Sequence, residues 1–246
     1  MKITKTHLLS LSIAALTSLS IQTAQATSTY TGSADLTIAI TGISNQSNPG
    51  SGYGNDILYS GLLGLDPFSG SIVDGTGNVS PSFSGSPLPF DPIVLPTDFS
   101  FNQSMLINGS VTDGNIDSYY VGIPKILLEN ESLDTYVIDY TVNYNLSVVT
   151  SGEYSEGTVS ITGDNLGLPD DGLGGYIEVG SFSDSFSEGN TLALSLTLEG
   201  MSSADFYAEF EFSGYAEATA SPVPLPGAVW LFLAGILALP RFKRHQ

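Results

Sequence analysis

The chain contains no cysteine, and its central part also lacks histidine, arginine and tryptophan. The two histidines, His7 and His245, lie close to the chain ends. Disulfide bridges are therefore excluded, and the central part cannot build Ser–His–Asp or Cys–His catalysis or a zinc site with nitrogen and sulfur ligands. Carboxylate pairs remain available for catalysis, but with 25 acidic residues such pairs arise by chance. We therefore expect that the protein is not an enzyme.

Positive charge is equally scarce. Residues 27–221 contain all 25 acidic residues and one base, Lys125, so one positive charge stands against 25 negative charges and the net charge is −24. A domain with this charge repels nucleic acid and anionic lipid, which excludes nucleic acid as a partner. It also repels itself, and salt or a divalent cation would relieve that repulsion.

Apolar and polar residues alternate with period two in four segments of the central part. This pattern predicts strands with one buried face, and helical spacing fits none of the segments. The segments are 36–40, 136–148, 192–198 and 206–212. Tyr140 and Tyr144 fall on the apolar face of the second segment, where core packing explains them best.

Turn residues are dense between these segments, and residues 44–96 are rich in Gly, Ser and Pro. We expect long loops there, with short strands near residues 57–59 and 71–73. The expected turns are Asn48-Pro49-Gly50, Asp74-Gly75, Asp113-Gly114, Gly163-Asp164-Asn165 and Pro169-Asp170-Asp171-Gly172. The absence of amphipathic helices favours an all-β domain, an antiparallel β-sandwich with a jelly roll as one form of it.

Two sets of residues are candidate ligands for calcium. Asp113, Asn115 and Asp117 begin like a calcium loop with oxygen ligands on alternate residues, although Ser118 stands where that loop needs glycine. Asp164, Asp170 and Asp171 share one Gly-rich segment. For both sets, turn formation is the alternative explanation and is favoured over metal binding.

Three tyrosines fall in stretches without strand alternation and are candidates for stacking on sugar rings. They are Tyr53, Tyr119 and Tyr120. Aromatic rings with an adjacent polar group suit such surfaces, although the lack of tryptophan weakens this interpretation.

The N-terminus has the composition of a secretory signal peptide. Lys2 and Lys5 precede the apolar run 8–19, and Ala24 and Ala26 supply a small-residue cleavage site. We expect residues 1–26 to be removed on export, with a retained anchor as the alternative.

The C-terminus has three parts. The prolines of residues 222–226 keep that stretch extended, and the apolar run 227–239 follows, about 20 Å long as a helix. This is short for a bilayer, but flanking apolar residues and snorkelling bases lengthen it. Trp230 suits the membrane interface, and a basic cluster (Arg241, Lys243 and Arg244) marks the cytoplasmic end. We expect a transmembrane helix at 227–239, with a buried globular helix as the alternative.

The stretch Val223, Pro224, Leu225, Pro226, with the apolar helix and basic end behind it, resembles the PEP-CTERM family of sorting signals in its VPLPA-type variant. The sequence departs from that variant at Gly227, where alanine is usual, and at Pro240. The resemblance covers residues 222–246 and implies an exported Gram-negative protein. It also implies anchoring in the inner membrane until an exosortase processes the tail.

The resemblance further implies an association with exopolysaccharide or biofilm. We therefore expect residues 27–221 to form an extracellular domain at the cell surface or in the matrix, with a structural role. The alternatives are a calcium-dependent polysaccharide-binding module and a carboxylate-based glycoside hydrolase. Calcium is the one cofactor that the residues suggest.

If the tail is a sorting signal, replacing both Pro224 and Pro226 with alanine makes the extended stretch more helical and blocks cleavage. We expect the variant to stay in the membrane with its tail attached. Intact-mass analysis of the parent and the variant measures this, and identical processed C-termini in the two would contradict the sorting function.

Overall fold

The computed structural model describes residues 27–169, 172–179 and 183–219, which include ten β-strands and no helix. The strands are β1 (Ser28–Asn45), β2 (Ile57–Leu65), β3 (Gly70–Gly85), β4 (Ile93–Val94), β5 (Ser100–Asn130), β6 (Tyr136–Ser151), β7 (Tyr154–Asp164), β8 (Leu173–Val179), β9 (Asp184–Leu198) and β10 (Ser203–Ala218). All of the strand pairs are antiparallel. The expected all-β antiparallel fold is confirmed.

Strand β5 pairs with four other strands of the described residues, β1, β2, β3 and β10. The strand order of the sheet is β8-β7-β10-β5-β1-β6-β9. On one edge, β5 pairs with β1 through residues 100–111 and with β10 through residues 114–129. The two halves of the sheet therefore meet along one continuous strand. They lie against each other, with β7 close to β1 and β6, and β8 comes near β9 so that the sheet is nearly closed.

The change of direction between the two halves occurs at a pair of opposed glycines. Gly75 of β3 lies opposite Gly114 of β5, and their φ angles are +96° and +93°. A Cβ on Gly114 would lie 2.0 Å from the carbonyl oxygen of Asp74, and one on Gly75 would lie 2.1 Å from that of Asp113. Only glycine adopts this backbone without strain, so both strands bend together at this point.

The core lies between the two halves and contains the alternating apolar residues of their strands. All seven even-numbered residues from Tyr136 to Val148 are buried, as are the large side chains Phe206, Phe210 and Phe212. Tyr30 is also buried, and its hydroxyl donates a hydrogen bond of 2.7 Å to Ser118 Oγ. The alternation predicted for β1, β6, β9 and β10 is confirmed.

The first and last described parts of the chain meet at the turn between β6 and β7. Ser28 Oγ accepts a hydrogen bond of 2.8 Å from the Glu153 amide. The Glu153 carboxylate accepts hydrogen bonds of 2.8 Å from both the amide and the hydroxyl of Thr219. These bonds hold the pKa of Glu153 below its usual value. The β6–β7 turn therefore holds the end of β10 in place through hydrogen bonds.

The second edge of β5 carries β2 and β3, which together with β4 we call the wing. Strand β2 pairs with residues 122–130 of β5, and β3 pairs with residues 103–119. Nearly all residues of β3 are exposed, on both sides of the strand. The short strands expected near residues 57–59 and 71–73 are present as β2 and β3, and both are longer than expected. The expectation of long loops is therefore wrong for residues 57–65 and 70–85, which pair with β5.

The turns expected at Asp74-Gly75 and Asp113-Gly114 are also wrong, since both dipeptides lie inside strands at the shared bend. Several predictions lie outside the described residues: the signal peptide 1–26 with Ala24 and Ala26, the tail 222–246, and Asp170 and Asp171. The part of the chain that the structure describes contains no helix long and apolar enough to cross a membrane.

We expect Gly114→Ala to lower the free energy of unfolding by about 3 kcal/mol or more, because its Cβ meets the backbone and its φ is positive. Gly52→Ala is the matched control, with open space around its Cβ and an expected change within about 0.5 kcal/mol. Denaturant unfolding of both variants measures the difference. Equal stability of the two variants would show that the bend tolerates a side chain.

Candidate polysaccharide-binding surface

The outward side of β7, β10 and residues 114–130 of β5, which we call the acidic face, repeats one short motif. Tyr-x-Glu occurs three times on it, at Tyr154 and Glu156, at Tyr207 and Glu209, and at Tyr215 and Glu217. The residues of each pair are two apart on one strand and therefore share a side. In each pair, the tyrosine hydroxyl donates to the glutamate Oε2, at 3.2, 2.9 and 3.1 Å respectively.

Two of these motifs form a square across neighbouring strands. Tyr215 lies opposite Glu156, and Glu217 lies opposite Tyr154. The two tyrosines occupy one diagonal, with their ring centroids 5.8 Å apart and their planes at 69°. We call these four residues the Tyr–Glu square, which places two aromatic rings and two carboxylates on one side of the sheet.

Strand β5 extends the square on its other side. Asp117 lies opposite Tyr215, and Tyr119 lies opposite Ser213. Both residues of β5 are exposed, whereas Tyr215 is half-buried. The surface around the square therefore contains a third ring and a third carboxylate.

The hydroxyls of Tyr207 and Tyr215 on the acidic face stay protonated at physiological pH. Partial burial, together with the hydrogen bond to Glu209, raises the pKa of Tyr207 to about 12. Burial also raises the pKa of Tyr215, with further contributions from Glu217, Glu156 and Asp117. The hydroxyls therefore act as neutral donors to the carboxylates, whose remaining lone pairs can accept hydrogen bonds from a ligand.

Charge differs between the acidic face and the outward side of the other half of the sheet. The acidic face contains one base, Lys125, whose ammonium lies 2.7 Å from the Asp205 carboxylate. The outward positions of β1 and β6 carry mainly Ser, Thr and Asn, and among them only Asp35 and Asp139 are acidic in the described residues. Both of these carboxylates accept hydrogen bonds from serines. The negative charge is therefore concentrated beside the Tyr–Glu square.

The first calcium candidates lie in β5 and not in a loop. Asp113 and Asp117 are exposed, with Asn115 between them. Alternate residues of an extended strand lie about 7 Å apart, whereas calcium ligands lie about 2.4 Å from the ion. This arrangement does not favour a shared ion, and the described residues contain no group of three or more His, Cys, Asp or Glu suited to a metal.

The second calcium set is only partly described. Asp164 ends β7 and is exposed, while Asp170 and Asp171 lie outside the described residues. Calcium binding by this set stays a prediction.

The three tyrosines predicted to stack on sugars have different surroundings. Tyr119 is exposed on the acidic face, in a strand and not in a loop. Tyr120 is buried in the core, and the Tyr53 hydroxyl donates to the carbonyl oxygen of Leu95 at 2.7 Å. Only Tyr119 of the three is available to a ligand.

A surface depression of about 570 Å³ lies near the far end of the acidic face, beyond the Tyr–Glu square. Its lining includes Glu129, Glu131 and Met201. These two carboxylates are the residues to test for the glycoside hydrolase alternative.

The Tyr–Glu square was missed in the sequence. The signal was the repeated Tyr-x-Glu motif, which occurs four times in the sequence, at residues 154–156, 176–178, 207–209 and 215–217. Two of the motifs meet because β7 pairs with β10 in a particular register, and no local pattern specifies that register.

The melting temperature is expected to rise with ionic strength, because screening relieves self-repulsion. At matched ionic strength, a calcium ion bound to a site would stabilise further, by about 2.7 kcal/mol at a hundredfold excess over its Kd. We expect Asp113→Asn to leave any such calcium-specific rise unchanged. Thermal melts with calcium exchanged for sodium measure it, and a rise that Asp113→Asn abolishes would restore the first candidate set.

No protein-family model, curated protein or solved structure matches this chain. The function proposed next therefore rests on the chemistry of the acidic face and of the two chain ends.

Proposed function

We propose that the protein is an exported, non-enzymatic component of an extracellular polysaccharide matrix and that the acidic face binds the polysaccharide. The Tyr–Glu square is the observation that carries this proposal. Partly exposed aromatic rings can contact the apolar faces of sugars, and adjacent carboxylates accept hydrogen bonds from sugar hydroxyls. The strands would form a β-sandwich that supports this face.

The charge of the domain narrows the ligand class. Carboxylates dominate the acidic face, and Lys125 is already paired with Asp205. A polysaccharide with uronic acid or sulfate groups would be repelled. The proposed ligand is therefore a neutral or amine-bearing polysaccharide whose hydroxyl or ammonium groups donate to the carboxylates.

The chain ends support the proposed location. The residues at 1–26 have the pattern of a signal peptide, and the tail at 222–246 resembles an exosortase substrate. We propose that the protein is held at the inner membrane by residues 227–239 until processing and then resides at the cell surface or in the matrix. Calcium-dependent binding is the second mode to test, through Asp164 with Asp170 and Asp171.

Replacing Tyr215 with alanine removes one ring of the square, and we expect binding to a neutral polysaccharide to weaken about tenfold, equivalent to about 1.4 kcal/mol. Tyr215→Phe keeps the ring and should retain most of the affinity. Leu106→Ala is the matched control, since this exposed residue lies on the outward side of the other half of the sheet.

A glycan array containing neutral, amine-bearing and uronic acid polysaccharides, with and without calcium, measures these affinities. Equal binding by Tyr215→Ala and Leu106→Ala would contradict the role of the square. Preferential binding of the uronic acid polymers would contradict the ligand class. Release of reducing sugar that disappears in Glu129→Gln would replace the binding function with hydrolysis.

A further inference from the structure

The wing carries most of the exposed large apolar side chains in the described part of the chain. They are Leu62, Leu63, Leu65, Phe68, Ile72, Val73, Phe90, Ile93 and Val94, whereas five others are scattered elsewhere. Single exposed apolar residues are ordinary on soluble proteins, but contiguous groups mark interaction sites. The wing is therefore a candidate interface.

The register places these residues along one edge of the sheet, with their side chains on both of its sides. Leu62 and Ile72 lie opposite Lys125 and Asp117 of the acidic face, whereas the next residues, Leu63 and Val73, point to the other side. Val73 pairs with Ile116, so the residues from Leu62 to Val73 follow one edge of β5 over about 30 Å. Phe90 and Leu62 line a shallow groove together with Lys125 and Leu127 of β5. We call this surface, from Leu62 to Val73 with Phe90, the apolar strip.

One backbone edge in the apolar strip is also open. Strand β3 pairs with β5 on one side, and no strand of the described residues pairs with its other side. The shift between Thr76 and Gly77 and the missing amide of Pro81 limit further pairing in the later part of β3. The segment Gly70–Asp74 precedes both features and contains no proline, so it can accept another strand.

Charge determines what can approach this segment. Residues 57–97 contain three acidic residues, Asp66, Asp74 and Asp91, while residues 27–221 contain 25. Two copies of the domain repel each other most strongly through their acidic faces. The outward side of β1 and β6 is also weakly charged but is polar, whereas the apolar strip combines few carboxylates with exposed apolar side chains. The strip is therefore the surface best suited to contact between identical copies.

We propose that the apolar strip binds the apolar strip of a second copy, with the two β3 strands antiparallel and Ile72 opposite Ile72. A twofold axis makes such a contact self-complementary. In this register the two Asp74 carboxylates lie about 14 Å apart along the strand, beyond the Debye length of about 8 Å at physiological salt. Phe68 and Leu65 flank the paired segment and lose exposure to water.

A second copy fits this surface better than a membrane does. The Asp66 and Asp74 carboxylates border the strip, and anionic lipid would be repelled by them and by the rest of the domain. The polysaccharide is proposed to bind the acidic face and not the apolar strip. Self-association therefore stands independently of the proposed ligand.

The absence of cysteine from the chain allows a direct test by single-cysteine cross-linking. Residues directly opposite in an antiparallel pair have Cα atoms about 4.5–5.5 Å apart, within the range that a disulfide spans. We expect the full chain with Ile72→Cys to form a disulfide-linked dimer of twice 25.8 kDa under mild oxidation. Leu133→Cys is the matched control, because Leu133 is 87% exposed and Ile72 is 70% exposed, but Leu133 lies outside the strip.

Non-reducing electrophoresis measures the dimer fraction. We expect at least a tenfold higher fraction for Ile72→Cys than for Leu133→Cys, and a rise with ionic strength as repulsion is screened. Adding Phe68→Ser to Ile72→Cys should lower the fraction several-fold, whereas adding Met201→Ser should not. Equal cross-linking at the two cysteine positions, or none at Ile72→Cys, would overturn the proposal.

Discussion

The bend that β3 and β5 make together determines which surfaces the protein has. Because Gly75 and Gly114 face each other with positive φ angles, the paired strands change direction together, with a register shift between Thr76 and Gly77 beside the bend. The halves of the sheet on either side then bury their apolar faces against each other. The acidic face is the outward side of one half, and the Ser-, Thr- and Asn-rich surface is the outward side of the other. The wing follows the same bend because β3 is part of it.

The buried strands could be predicted because burial on one side leaves a period of two in the sequence. This holds for β6 and β10, in which the inward positions are apolar almost without exception. Strand β3 carries no such period because neither of its sides is buried, so its glycines and serines indicated a loop. Asp-Gly is a strong turn signal because glycine readily adopts a positive φ angle. Gly75 and Gly114 adopt that angle at a bend inside paired strands and not in a turn.

The candidate site could be predicted only in part. The three Tyr-x-Glu motifs of the acidic face are visible in the sequence beside a fourth at residues 176–178, and strand geometry places the two residues of a motif on one side of a strand. What the sequence lacks is the pairing of β7 with β10, two strands separated by β8 and β9 along the chain. The calcium candidates show the converse case, since Asp113, Asn115 and Asp117 alternate in the sequence and the structure places them in a strand and not in a loop. Convergence of side chains depends on register and on chain direction.

The hydrogen bonds from Thr219 to the Glu153 carboxylate affect how the domain responds to mechanical force. Strand β10 lies between β5 and β7, and its last residue leads directly to the bond with the Glu153 carboxylate. Tension applied to the chain beyond Thr219 would act along the axis of β10. Both ladders of hydrogen bonds that flank the strand would then be loaded in shear and would share the force, whereas an edge strand would bear it on one ladder. The position of β10 between two strands therefore increases the resistance of the domain to force applied at its C-terminal end.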